Sequence, residues 1–160
     1  MLPQPVSMIA LEEEILRETV MPDENLSCIS HVSLGTNNYE RAKAFYARVL
    51  AVIGCKIIME HPGAAAFGKA HPEFWICTPH DDRAATSGNG VHVGFMAQSK
   101  PEVDTFFNEA LAAGGTADGD PGHRHDYGEP YYGCFVRDPD GNKIEATFWD
   151  MALARTLGMA

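Results

Sequence analysis

The chain has 160 residues, 45% of them hydrophobic and 21% charged, which is the balance of a folded globular protein rather than a disordered one. Its formal net charge of −10 comes with no cluster of Lys and Arg, which argues against nucleic acid and anionic membrane as partners. No stretch approaches the about 18–20 apolar residues of a membrane span, and Glu12, Glu13 and Glu14 stand where a signal peptide would need its apolar run.

Residues 1–27 read as an N-terminal extension. Leu11, Ile15 and Leu16 would share one face of a short peripheral helix that Pro22 ends. Cys28, Cys55, Cys77 and Cys134 are widely spaced and form no CxxC pair, as expected of reduced thiols in a soluble cytoplasmic protein.

From residue 28 the chain repeats itself. Aligning His31 with His92 needs no gap over roughly twenty residues: His31-Val32-x-Leu34 falls on His92-Val93-x-Phe95, Phe45-Tyr46 on Phe106-Phe107, Leu50 on Leu111 and Gly54 on Gly115. Each copy opens with an alternating strand, residues 29–35 or 91–97, whose histidine points away from the apolar side chains. A capping-box pattern follows, Asn37-x-x-Glu40 or Ser99-x-x-Glu102, and then an amphipathic helix closed by Gly54 or Gly114-Gly115.

Shorter strands complete each copy. They are expected over 56–61, 64–69 and 73–78 in the first, and over 116–118, 131–137 and 143–148 in the second. The Asp138-Pro139-Asp140-Gly141 turn joins the last two. The expected organisation is a first βαβββ module at 28–80, a polar linker at 81–90, a second module at 91–150 and a tail at 151–160. The fold class is α+β: paired βαβββ modules forming a curved, cup-shaped mixed sheet with helices on the outer face, so that each half buries what the other would expose.

In the last strand Ile144, Ala146 and Phe148 form one apolar face, so Glu145 points the other way, into the concavity. Two imidazoles in register, His31 and His92, and one carboxylate, Glu145, match the facial set that holds a divalent metal and leaves positions open. The expected cofactor is one divalent ion, with Fe, Mn, Ni, Co and Zn all compatible. A loop reading from Gly122 to Tyr132 offers His123, Arg124, His125, Tyr127, Tyr131 and Tyr132 to orient an oxygen-rich substrate or move a proton. Of these, His125 is chosen as general acid or base, with Tyr132 as a second catalytic candidate.

The His-Val start of each module, the helix Tyr39-Glu-Arg-Ala-Lys-Ala-Phe-Tyr46 and the ending Arg137-Asp-Pro-Asp-Gly-Asn-Lys-Ile-Glu145 together resemble the vicinal oxygen chelate superfamily of glyoxalases, bleomycin-resistance proteins and extradiol dioxygenases. The resemblance covers about residues 29–149 and implies a metal in the cupped sheet and substrates that chelate it through two neighbouring oxygens. It also implies a homodimer, whose modules pair within a chain or across the dimer.

The resemblance leaves lyase, isomerase and ring-cleaving dioxygenase chemistry open. Trp75 stands where glyoxalase I-like members carry a carboxylate ligand, which speaks against lactoylglutathione lyase activity. Phe135 stands where extradiol dioxygenases carry a tyrosine, and no basic cluster is present to seat a phosphonate as in fosfomycin-resistance-like transferases. The alternative is a metal-free protein of the bleomycin-resistance type that sequesters a small molecule; the net charge of −10 would suit a cationic ligand.

Overall fold

The computed structural model describes residues 28–159. The helix expected within residues 1–27 lies outside them. The chain divides into two compact units, residues 1–30 and 31–160. Of the first unit, residues 28–30 are described, and they carry neither helix nor strand.

The second unit holds the repeat. Its first half runs β1 (Val32–Gly35), α1 (Tyr39–Ala51), β2 (Lys56–His61), β3 (Ala64–Gly68) and β4 (Phe74–Cys77). Its second half runs β5 (His92–Met96), α2 (Lys100–Ala112), β6 (Thr116–Gly122), a short 3-10 turn (His125–Tyr127), β7 (Tyr131–Arg137) and β8 (Lys143–Trp149). A helix, α3 (Met151–Thr156), follows, capped by the Asp150 side chain. The strands form two four-stranded sheets, ordered β1-β4-β3-β2 and β5-β8-β7-β6, rather than one continuous sheet. In each, the first strand lies parallel to the last and the others are antiparallel. A parallel pair needs a long crossover, and the intervening helix is part of it.

Local chemistry sets the helix ends. Ser99 caps α2 by accepting from the Glu102 amide, while the Glu102 carboxylate takes the Gln98 amide at 2.8 Å. In α1 the cap is Asn38, one residue later than the sequence pattern suggested. Asn37 is held elsewhere: its side chain donates to the Ala85 carbonyl and accepts from the Ala85 amide, tying the inter-module linker to the start of α1. Gly54 and Gly114 end the helices with φ of +79° and +98°, a region costly for any residue with a Cβ.

Both helices pack on the apolar face of the strands and share one core. Phe45, Tyr46, Val49 and Leu50 of α1 and Val103, Phe106 and Ala110 of α2 are buried in it. The aromatic rings run through both halves, from Tyr46 to Phe74 (4.8 Å between centroids), Phe74 to Phe95 (5.1 Å) and Phe95 to Phe106 (6.2 Å). Outside the core, Arg48 of α1 pairs with Glu109 of α2.

A buried polar network joins the halves at the β7–β8 turn. The Asp138 carboxylate accepts from the Tyr46 hydroxyl (2.7 Å), the Asp140 and Asn142 amides and the Asn142 side chain. Asn142 also donates to the Gly35 carbonyl, and Asp140 accepts from the Thr36 hydroxyl (2.6 Å) and from Arg41. Burial, and then the adjacent Asp138 charge, hold the Tyr46 phenol well above the ordinary tyrosine range. A raised phenol contributes stability that is complete below about pH 10 and is lost as the pH climbs through the folded-state value, because the unfolded chain ionises first. Tyr46→Phe is therefore expected to cost about 1.5–3 kcal/mol at neutral pH and to flatten the alkaline loss of stability. Urea unfolding from pH 7 to 11 measures both.

Candidate functional site

Strand alternation fixes which side chains leave the core. In β8, Ile144 and Ala146 are fully buried against the helices, so Glu145, Thr147 and Trp149 project from the opposite face. In β5 the same parity puts His92, Gly94 and Met96 on that face. In β7 it puts Tyr131, Gly133 and Phe135 there, with Phe135 directly across from Glu145 and Gly94 across on the other side.

Glu145 is 7% exposed and both of its oxygens are engaged. Oε1 accepts from the Tyr131 hydroxyl at 2.7 Å, and Oε2 lies 3.1 Å from His92 Nε2. Tyr131 reaches along its own strand to do this, and its phenol lies over Gly133. A methyl group at that position would overlap the hydroxyl, so glycine there is what lets the bond form. Burial first, and then the hydrogen bond to Glu145, push the Tyr131 phenol above its ordinary range and keep it a donor. The His92 ring stands edge-on to Phe135, 6.0 Å between centroids, and the cations of Lys143 and Arg124 lie over Phe135 at 4.4 and 5.6 Å.

The sequence-derived candidates scatter around this centre. His92 and Glu145 come together because β5 and β8 are parallel neighbours. His31 is exposed and immediately precedes β1, in the other sheet. Among the described residues no group of three or more His, Cys, Asp or Glu side chains is placed to hold one metal ion. The paired imidazole nitrogen and carboxylate oxygen have suitable donor chemistry for a divalent ion, and among the described residues the set stands at two.

His125 lies in the 3-10 turn, fully exposed, with its ring 3.6 Å from the carboxylate of Asp126. Tyr132 projects to the helix side, where its hydroxyl donates to Asp104 of α2 at 2.8 Å. That bond, more than burial, raises its phenol. The sequence pattern points to Tyr132, whereas Tyr131 is the phenol on the carboxylate. Counting by twos back from Phe135, the residue opposite Glu145, would have separated them.

Trp75, on β4, donates its indole N–H to the Pro72 carbonyl at 3.2 Å and stacks on His61. A cavity of about 200 Å³ at the junction of the halves is lined by Ser33, Leu34, Asn142 and Lys143 among others. It does not include His92 or Glu145, whose chemistry lies on the open face of the second sheet.

The profile of the Glyoxalase/Bleomycin resistance protein/Dioxygenase superfamily matches residues 28–146, and the chain belongs to that superfamily. A crystal structure of a glyoxalase/bleomycin resistance protein from Albidiferax ferrireducens T118 is similar at 38% identity and a TM-score of 0.70, covering 76% of this chain and 98% of that one. A glyoxalase/bleomycin resistance protein/dioxygenase family enzyme from Burkholderia phytofirmans PsJN shares the fold at 22% identity and a TM-score of 0.60, over 76% and 98% of the two chains. So does a lactoylglutathione lyase from Agrobacterium tumefaciens, at 24% identity and a TM-score of 0.55, over 77% and 94%. No curated protein matches the chain.

The geometry separates the two neighbouring tyrosines. Tyr131→Phe leaves a buried carboxylate oxygen without its donor and is expected to cost about 1.5–3 kcal/mol. Tyr132→Phe frees only the partly exposed Asp104 and is expected to cost less by about 1 kcal/mol. Equal losses in urea unfolding would remove Tyr131 from the Glu145 site.

Proposed function

We propose that this chain is a metal-dependent enzyme acting on a small molecule that offers two neighbouring oxygens, with the His92–Glu145 pair at the centre of its site. The observation that carries this reading is the pair itself: a ring nitrogen and a nearly buried carboxylate, 3.1 Å apart, on the open face of a sheet. His92, Glu145 and His31 would hold the ion, with His31 supplied by a second copy of the chain. The end strands β1 and β5 carry exposed apolar side chains, Val32 (41% exposed) and Met96 (81%), which suit coverage by such a copy in a homodimer.

A divalent ion bound there supplies Lewis-acid polarisation of a substrate oxygen. The chain's own groups do the rest. The Tyr131 hydroxyl fixes the orientation of Glu145, and the exposed Met96 offers an apolar contact on the same face. His125 and Tyr132 stay in this reading as outlying proton carriers, dependent on movement of the 123–132 segment. Trp75 in β4 speaks against lactoylglutathione lyase chemistry, and Phe135 in β7 weakens the case for extradiol ring cleavage. The cysteines Cys28, Cys55, Cys77 and Cys134 are free thiols, which supports a cytoplasmic setting. Among the described residues no helix is long and apolar enough to cross a membrane.

A second reading has its own support. Glu145 already accepts from Tyr131 and faces His92, and among the described residues no third donor joins them. A metal-free protein that sequesters its ligand on the same face would need no more. Titration of Mn(II), Fe(II), Ni(II) and Zn(II) into the metal-stripped chain, with sedimentation in parallel, decides between the two. The expected result is about one ion per chain on a dimer, weakened roughly tenfold or more by His31→Ala, His92→Ala or Glu145→Gln and unaffected by Tyr132→Phe. Binding of no ion would overturn the metal-dependent reading and leave the sequestering one.

A further inference from the structure

Arg124 stands apart from the other charges on the face that carries Glu145. Arg137 and Lys143 both spend their charge on Asp118, at 3.0 and 3.2 Å. Arg124 has no carboxylate within ion-pair distance among the described residues. Its guanidinium donates to two backbone carbonyls, Asp120 at 2.7 Å and His123 at 3.3 Å. Those carbonyls orient the fork without neutralising it.

The position is built. The guanidinium lies over the Phe135 ring, and a Cβ at Gly119 or at Gly122 would come within 3.2 or 3.3 Å of its terminal nitrogens. The cation therefore occupies space that these two glycines leave open, between the strand β6 backbone and an aromatic ring. That ring is also the one His92 meets edge-on, and its residue faces Glu145 across the β7–β8 ladder. One phenyl ring thus meets the His92 imidazole edge-on and carries two cations above it, Lys143, which is paired with Asp118, and Arg124, which has no carboxylate partner among the described residues. In a chain of net charge −10, three cations, Arg124, Arg137 and Lys143, gather on this face, and two of them are paired with Asp118.

We propose that Arg124 is the specificity-determining residue of this site and that the substrate is a small carboxylate with a flat apolar body. Its carboxylate takes the Arg124 fork, its body lies over the exposed Met96 and Trp149, and its remaining oxygens face His92 and Glu145. This assignment rests on the proposed function only in taking the same face as the site. It reverses the expectation, drawn from overall charge, that a ligand here would be cationic: net charge sets the far field, whereas a contact site is ruled by the charges within a few ångströms. A planar guanidinium offers two parallel N–H bonds to a carboxylate, which a lysine cannot reproduce.

The test uses the full chain, stripped of metal so that no ion can bind the probe. Benzoate, benzamide and benzylammonium are matched in their ring and differ in charge. Two-dimensional amide NMR locates binding, and calorimetry gives affinity. Benzoate is expected to bind most tightly and to shift amides of residues 119–124 and 131–135. Arg124→Gln is expected to weaken benzoate roughly ten- to a hundredfold while leaving benzamide unchanged, and Arg124→Lys to recover part of the loss. Should Arg124→Gln fail to fold, the charge series on the unaltered chain decides alone. The proposal is overturned if benzylammonium or benzamide binds as well as benzoate, if no probe shifts these amides, or if folded Arg124→Gln holds benzoate undiminished. Because no metal is present, this result is independent of the metal titration, and either reading can fail without the other.

Discussion

The Asp138 carboxylate lies inside the protein, and four hydrogen bonds reach it from two directions. Three come from its own turn. The fourth comes from Tyr46, on the helix of the other half. A carboxylate taken this far out of water is costly unless its lone pairs are filled, so the turn and the α1 helix are held in one arrangement. Strand β8 starts at the end of that turn, and Glu145 follows within three residues. The position of Glu145 is thus tied to a tyrosine from the first module, through this buried network.

Glu145 repeats the same physics on the open face. It is nearly buried, and its two oxygens are met by a phenol and an imidazole from the strands on either side. Small residues make this possible: Gly94 and Gly133 flank the carboxylate and leave room for its partners. The arrangement holds the carboxylate in one orientation before any ligand arrives, which is the preorganisation a binding or catalytic site requires. Around it the surface is divided. Cations gather over Phe135 on one side, and Met96 and Trp149 lie exposed on the other.

Much of the fold can be read from the residues because it rests on local rules. The register of His31 with His92, the helix stripes Phe45-Tyr46 and Phe106-Phe107, and the Asp138–Gly141 turn are all short-range patterns, and the structure places strands and helices on them. The alternation of Ile144, Ala146 and Phe148 was enough to turn Glu145 away from the core. The cap of α1 was off by one residue because Asn37 and Asn38 are chemically alike, and only the linker at Ala85 decides which of them is spent elsewhere.

What the amino-acid sequence determined by itself is the paired βαβββ architecture, the superfamily, and the face of each strand on which His92 and Glu145 stand, since periodicity within a strand needs no partner. Tertiary structure alone decided the rest. It chose Tyr131 over Tyr132, because the parity of β7 that matters is set by the β7–β8 register, which puts Phe135 opposite Glu145. It joined His92 to Glu145 and left His31 ahead of β1, beside the other sheet, because pairing between strands distant in the chain is set by packing. It also left Arg124 lying on Phe135 with no carboxylate partner among the described residues, since a charge is paired only by what the folded chain brings near it.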